Sequence, residues 1–211
     1  MFHWPAIARM KLHFAHQQTY PDWIASIVNT DTFPDLQQAK RKLLVAVSRS
    51  AMLLGKHVSI AAATLAYIVD KKIVHSIHPR LPRYLGLQQQ FYELQQCTSV
   101  QAAQALLNAS AAAPPLTRPV LLDGRWALDG GYVDNAPLPR LRAEEQVRTL
   151  VLLTRHYPRR PEFFCQHGRV YWQPSQRIPV STWDCTIKST VQDAFNLGYA
   201  DARRCLGATA N

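Results

Sequence analysis

The stretch RWALDGGYVDNAPL, residues 125–138, decides how this chain is read. Trp126-Ala127-Leu128 is strand-like, and Asp129-Gly130-Gly131 follows it directly. Two glycines let the backbone turn sharply and let another backbone, or a substrate, come close. A carboxylate at such a turn has two readings. It closes the turn by accepting backbone N–H bonds, or it faces a cleft as a catalytic base. The residue types alone favour the first.

Moving upstream, Asp123-Gly124 stands between two apolar runs, a strong hairpin signal because Gly tolerates the positive φ of the turn. Pro114-Pro115 stops a helix expected over 99–110, with Ser99 as its cap and apolar residues at 102, 103, 105, 106 and 109. KLLVAVS, residues 42–48, reads as a buried parallel strand, and TLVLLT, 149–154, as a further buried strand. The run VSIAAATLAYIV within 58–71 reads as a buried helix, too short to span a bilayer. Residues 87–96 read as a short helix, 78–82 as a proline-punctuated loop, and 1–40 as short helices and turns. Residues 155–184 read as a long loop with local structure. A last helix, capped by Asp184 or Thr186, places apolar residues at 187, 191, 194, 195, 198, 202 and 205. The expectation is one α/β domain over 1–211: a three-layer α/β/α arrangement with a mainly parallel sheet, a core over 40–154, and a C-terminal loop and helix over 155–211.

At 211 residues, 47% apolar and 18% charged, the chain is globular rather than disordered. Its net charge of +10 favours anionic partners, phospholipid headgroups or nucleic acid. No nucleic-acid-binding motif accompanies the charge, so no specific nucleic acid partner is expected. Cys97, Cys165, Cys185 and Cys205 form no CxxC pair and suit a reducing compartment. The first twenty residues do not read as a signal peptide, so a cytoplasmic location is expected, with contact to an anionic membrane surface left open. The spaced pairs His13/His16 and His75/His78 lack the further ligands of a metal site.

ASAAAPPL (109–116), DG (123–124) and LDGGYVDNAP (128–137) together resemble the second half of a patatin-like phospholipase domain. TLVLLT is similar to the strand that follows there. YWQPSQRIPV (171–180), WDCT (183–186) and LGYADARR (197–204) resemble the tail of one bacterial branch, so the resemblance spans about residues 40–205. It implies that Asp129 is the proton acceptor of a Ser–Asp dyad and that Gly130, Gly131, Asn135 and Pro137 support its loop. It also implies a lipid or phospholipid ester as substrate, and neither a metal nor another cofactor.

The resemblance further implies a glycine-rich oxyanion loop and a GxSxG elbow ahead of this region. None of the eight glycines, at 55, 86, 124, 130, 131, 168, 198 and 207, begins a GxSxG. Ser48, Ser50 and Ser110 have no elbow around them and are weak candidates for the nucleophile. The expectation is therefore a domain without its nucleophile half, with at most trace esterase activity alone. A truncated product, a fragment and one part of a split protein, its serine on a separate N-terminal half, all fit. A non-enzymatic module for an anionic membrane or a partner is the alternative.

Overall fold

The computed structural model describes residues 16–49, 64–65, 69, 76–78, 81–114, 116–180 and 191–207. The chain divides into two compact units, one spanning Arg9–Pro139 and the other built on Arg140–Asn211.

In the first unit, α1 (His16–Ile27) and α2 (Phe33–Gln38) lead into β1 (Leu44–Arg49). There follow α3 (Leu81–Tyr84), β2 (Gln88–Glu93), a 3₁₀ turn at Leu94–Gln96 and α4 (Val100–Ser110). The hairpin β3 (Val120–Leu122) and β4 (Arg125–Asp129) then runs into a second 3₁₀ turn, Gly130–Tyr132. Ser99 caps α4 as expected, its hydroxyl accepting from the Ala102 N–H at 3.1 Å. Asp123 and Gly124 take φ values of +51° and +69°, the left-handed pair that a two-residue hairpin turn requires.

The four strands form one sheet in the order β2-β1-β4-β3. Every pairing in it is antiparallel, so the mainly parallel sheet expected from the sequence is not what forms. The apolar run of β1 was compatible with a parallel strand buried on both faces. It is indeed covered on both faces, but between antiparallel neighbours. Val45 and Val47 pack with Ala103, Leu106 and Ala109 of α4 and with Ala127 of β4, while Ser48 lies buried on the opposite face. Residues 88–93 are a strand, not the expected helix, because six successive pairings with β1 outweigh the weak local preference of QQQFYE.

Arg49 ends β1 with its side chain only 1% exposed. Its Nε donates to Gln90 Oε1 at 3.1 Å and its Nη1 to the carbonyls of Leu122 and Arg125 at 2.6 and 2.9 Å. Its Nη2 donates to the Tyr92 hydroxyl and to Asp123 Oδ2. One guanidinium thus grips both carbonyls that flank the Asp123-Gly124 turn and ties the hairpin to β1. That tie helps set the register in which Val47 faces Asp129.

The second unit contains α5 (Ala143–Gln146), β5 (Leu150–Leu152), β6 (Phe163–Gln166), β7 (Arg169–Trp172) and α6 (Val191–Gly207). Its sheet has the order β5-β7-β6, with β5 and β7 parallel and β6 and β7 antiparallel. The β6–β7 hairpin lies inside the stretch expected to be a loop. Its turn is His167-Gly168, with φ values of +53° and +72°, and His is among the residues that enter this region more readily than most. The buried side chain of Gln173 accepts from Tyr157 N–H and donates to the carbonyls of Tyr157, Arg160 and Pro161. In TLVLLT only Val151 and Leu153 are buried, so it is not the fully buried strand expected.

Most of the helix expected over 58–71 lies outside the described residues, although residues 64, 65 and 69 are helical. The expected caps Asp184 and Thr186 also lie outside them. Among the described residues no helix is long and apolar enough to cross a membrane.

Candidate active site

The DGG turn sits where three segments of the first unit meet. Asp129 closes β4, and its Oδ1 accepts from the Gly131 N–H at 2.7 Å, capping the 3₁₀ turn that follows. Its own N–H donates to the Ala112 carbonyl at 2.8 Å. The Tyr132 hydroxyl donates to the Pro114 carbonyl at 3.0 Å. These two bonds tie the ASAAAPPL segment to the DGG turn. The chain leaving α4 is stitched to the turn on both sides of Gly130-Gly131.

Gly130 is buried against β1. A Cβ on it would lie 2.7 Å from the Ala46 carbonyl oxygen, closer than real Cβ atoms approach. Its carbonyl accepts from Ser48 Oγ at 3.3 Å and from Gln89 Nε2 at 3.2 Å. Gly131 is constrained differently, since a Cβ there would stand 3.2 Å from Asp129 Oδ1 and press on the carboxylate. The glycines therefore do two jobs: one lets the turn lie on β1, the other lets Asp129 fold over the turn.

Asn135 donates from Nδ2 to the Ser76 carbonyl at 3.2 Å and holds the following loop to residues 76–78. Pro137 is half-buried in the segment that leads away. Ser48 is wholly buried with its hydroxyl on Gly130, and Ser110 donates to the Leu107 carbonyl at 2.8 Å. Neither is placed as an exposed nucleophile. Ser50 lies outside the described residues.

Asp134 did not stand out in the sequence, and it is the most sealed carboxylate of the loop, at 4% exposure. The two oxygens lie 2.8 and 2.9 Å from His78 Nδ1, and Oδ1 also accepts from the Ala136 N–H at 3.0 Å. Arg83 Nη2 stands 3.6 Å away. Its partner His78 is 56 positions distant in the chain, so no local pattern links the two. Asp129, by contrast, is half-buried.

The family model described as Patatin-like phospholipase matches residues 13–142. The chain belongs to the patatin-like phospholipase family. The match takes in the whole DGG turn and α1 to β4, and ends before TLVLLT. No curated protein and no solved structure matches the chain. The patatin-like family is one of lipid acyl hydrolases, so the chain is assigned to lipid metabolism on this ground.

Proposed function

We propose that this patatin-like chain supplies the aspartate half of a Ser–Asp dyad that hydrolyses a carboxylic ester in a lipid. In this reading Asp129 is the base. Gly130, Gly131, Asn135 and Pro137 hold its loop, and the serine, its GxSxG elbow and the oxyanion donors lie outside these 211 residues. The serine Oγ attacks the acyl carbonyl while Asp129 takes its proton. Backbone N–H groups stabilise the oxyanion as the tetrahedral intermediate forms. The proton then passes to the leaving alcohol, and a water activated by the same carboxylate releases the fatty acid.

The observation that carries the reading is the mounting of Asp129. Its carboxylate is half-buried at a strand end and braced through Oδ1 by the Gly131 N–H. Asp134, the other carboxylate of the loop, is sealed against His78.

The test is reconstitution. The chain alone should neither react with a fluorophosphonate probe nor hydrolyse p-nitrophenyl butyrate. Joined to, or mixed with, a segment encoded immediately upstream that carries GxSxG, it should do both. Asp129→Asn should then cut turnover by roughly 10²–10⁴-fold, the range for loss of a general base. Stoichiometric labelling of the chain alone would overturn the proposal. The absence of any upstream segment that restores turnover would favour a scaffold that binds without hydrolysis.

A further inference from the structure

The sheet of the second unit has one face made wholly of apolar residues. The strand register puts Leu150, Leu152, Val170, Trp172, Phe163 and Cys165 on that face. Leu150, Leu152 and Phe163 are 52%, 65% and 44% exposed, and Cys165 is exposed too. Phe163 and Trp172 stack, with ring centroids 5.1 Å apart. The other face carries Val151, Tyr171 and Arg169, all buried. A sheet with one covered face normally turns polar residues to water on the other. A contiguous apolar face instead marks a surface that something else covers.

The charge of the same unit indicates what that is. Residues 140–180 and 191–207 contain ten arginines, no lysine and five carboxylates. Four of the carboxylates are already in ion pairs, Glu144 and Glu145 with Arg142, Glu162 and Asp201 with Arg204. Arg148, Arg159, Arg177 and Arg203 are exposed, while Arg160 lies over the Phe164 ring on the opposite face of the sheet. Stacking two copies of a chain of net charge +10 on this face would bring like charges together. An anionic lipid surface is complementary to the same charges, and stacked aromatic rings suit the headgroup boundary.

We propose that this sheet face docks on the surface of an anionic phospholipid bilayer. Leu150, Leu152, Phe163 and Trp172 enter the boundary between headgroups and acyl chains, and the exposed arginines pair with lipid phosphate. The proposal stands whether or not a serine is supplied to Asp129, because it involves no residue of the DGG loop.

Vesicle co-sedimentation of the whole chain tests it. Binding to phosphatidylcholine vesicles that contain phosphatidylglycerol should exceed binding to phosphatidylcholine alone, and should weaken as salt is raised. Leu150→Glu combined with Leu152→Glu should lower the partition coefficient by roughly tenfold or more, because two leucines no longer insert. Leu152→Gln alone, at the most exposed position, repeats the test should the double variant melt early. The idea fails if the wild-type chain ignores phosphatidylglycerol, or if the folded variants bind as well as wild type, leaving charge alone responsible. It also fails if sedimentation equilibrium shows a dimer that Leu152→Gln dissociates, since the face would then be an interface between copies.

Discussion

Gly130 lies so close to Ala46 that a methyl group on it would stand 2.7 Å from the Ala46 carbonyl oxygen. The turn that carries Asp129 is therefore seated directly on the backbone of β1. Gly130→Ala should force the turn off the strand and destabilise the fold by about 2 kcal/mol, within the usual range for overpacking. Gly131→Ala should cost less stability, because its neighbour is the Asp129 carboxylate rather than backbone. Urea denaturation of the two variants gives the comparison, and equal costs would contradict this placement.

Arg49 should be irreplaceable where Asp123 is not. Arg49→Met removes every guanidinium bond to Gln90, Tyr92 and the carbonyls of Leu122 and Arg125, while Gln90 and Tyr92 keep their bond to each other, and should cost about 3 kcal/mol. Arg49→Lys should recover little, since one ammonium cannot span the same fork of acceptors. Asp123 is 68% exposed, so its ion pair with Arg49 is largely screened. Asp123→Asn, which tolerates the same left-handed φ, should change stability by less than about 1 kcal/mol. Thermal melts of the three variants check the order.

Asp134 and His78 should be energetically coupled although neither has a place in the proposed chemistry. Either Asp134→Ala or His78→Ala takes this partner from the other group, buried Asp134 or half-buried His78, at a cost of about 2 kcal/mol. The double variant should cost clearly less than the two singles added. A coupling energy under about 0.3 kcal/mol in that cycle would mean the pair does not hold the loop to residues 76–78.

The cysteines should separate by reactivity and by pH. Cys165 is exposed, whereas burial holds the half-buried Cys97 thiol above its ordinary value. Iodoacetamide followed by mass spectrometry should therefore label Cys165 well before Cys97. The linked stability effect has a definite sign. Above about pH 8.5 the unfolded chain loses the Cys97 proton while the folded chain keeps it, so stability falls as pH rises through this range. Cys97→Ala should flatten that part of the pH–stability curve, and an unchanged slope would exclude Cys97 as its source.

Much of the local structure around the DGG turn was legible because its causes are local. Asp-Gly at a hairpin, Ser99 at a helix start and two glycines after a strand each restrict φ, ψ or capping within a few residues. The link between ASAAAPPL and DGG is different, because it rests on bonds across the chain, from Asp129 to Ala112 and from Tyr132 to Pro114. The strand over 88–93 was not legible, because its glutamines carry no strong strand preference and only the pairing with β1 makes it one. The His167-Gly168 hairpin was hidden for a related reason. Four-residue strands are too short for a period to show.

By itself, then, the sequence determined the family, the DGG turn, the hairpin before it and the capped helix that leads to it, since each depends on neighbours in the chain. Only the tertiary structure decided that β1 runs antiparallel to both its partners, that Asp134 meets His78, and that half of TLVLLT faces outward. Strand direction, a part-buried pair 56 residues apart and the covering of an apolar face all depend on segments brought together across the chain, where no local preference reaches.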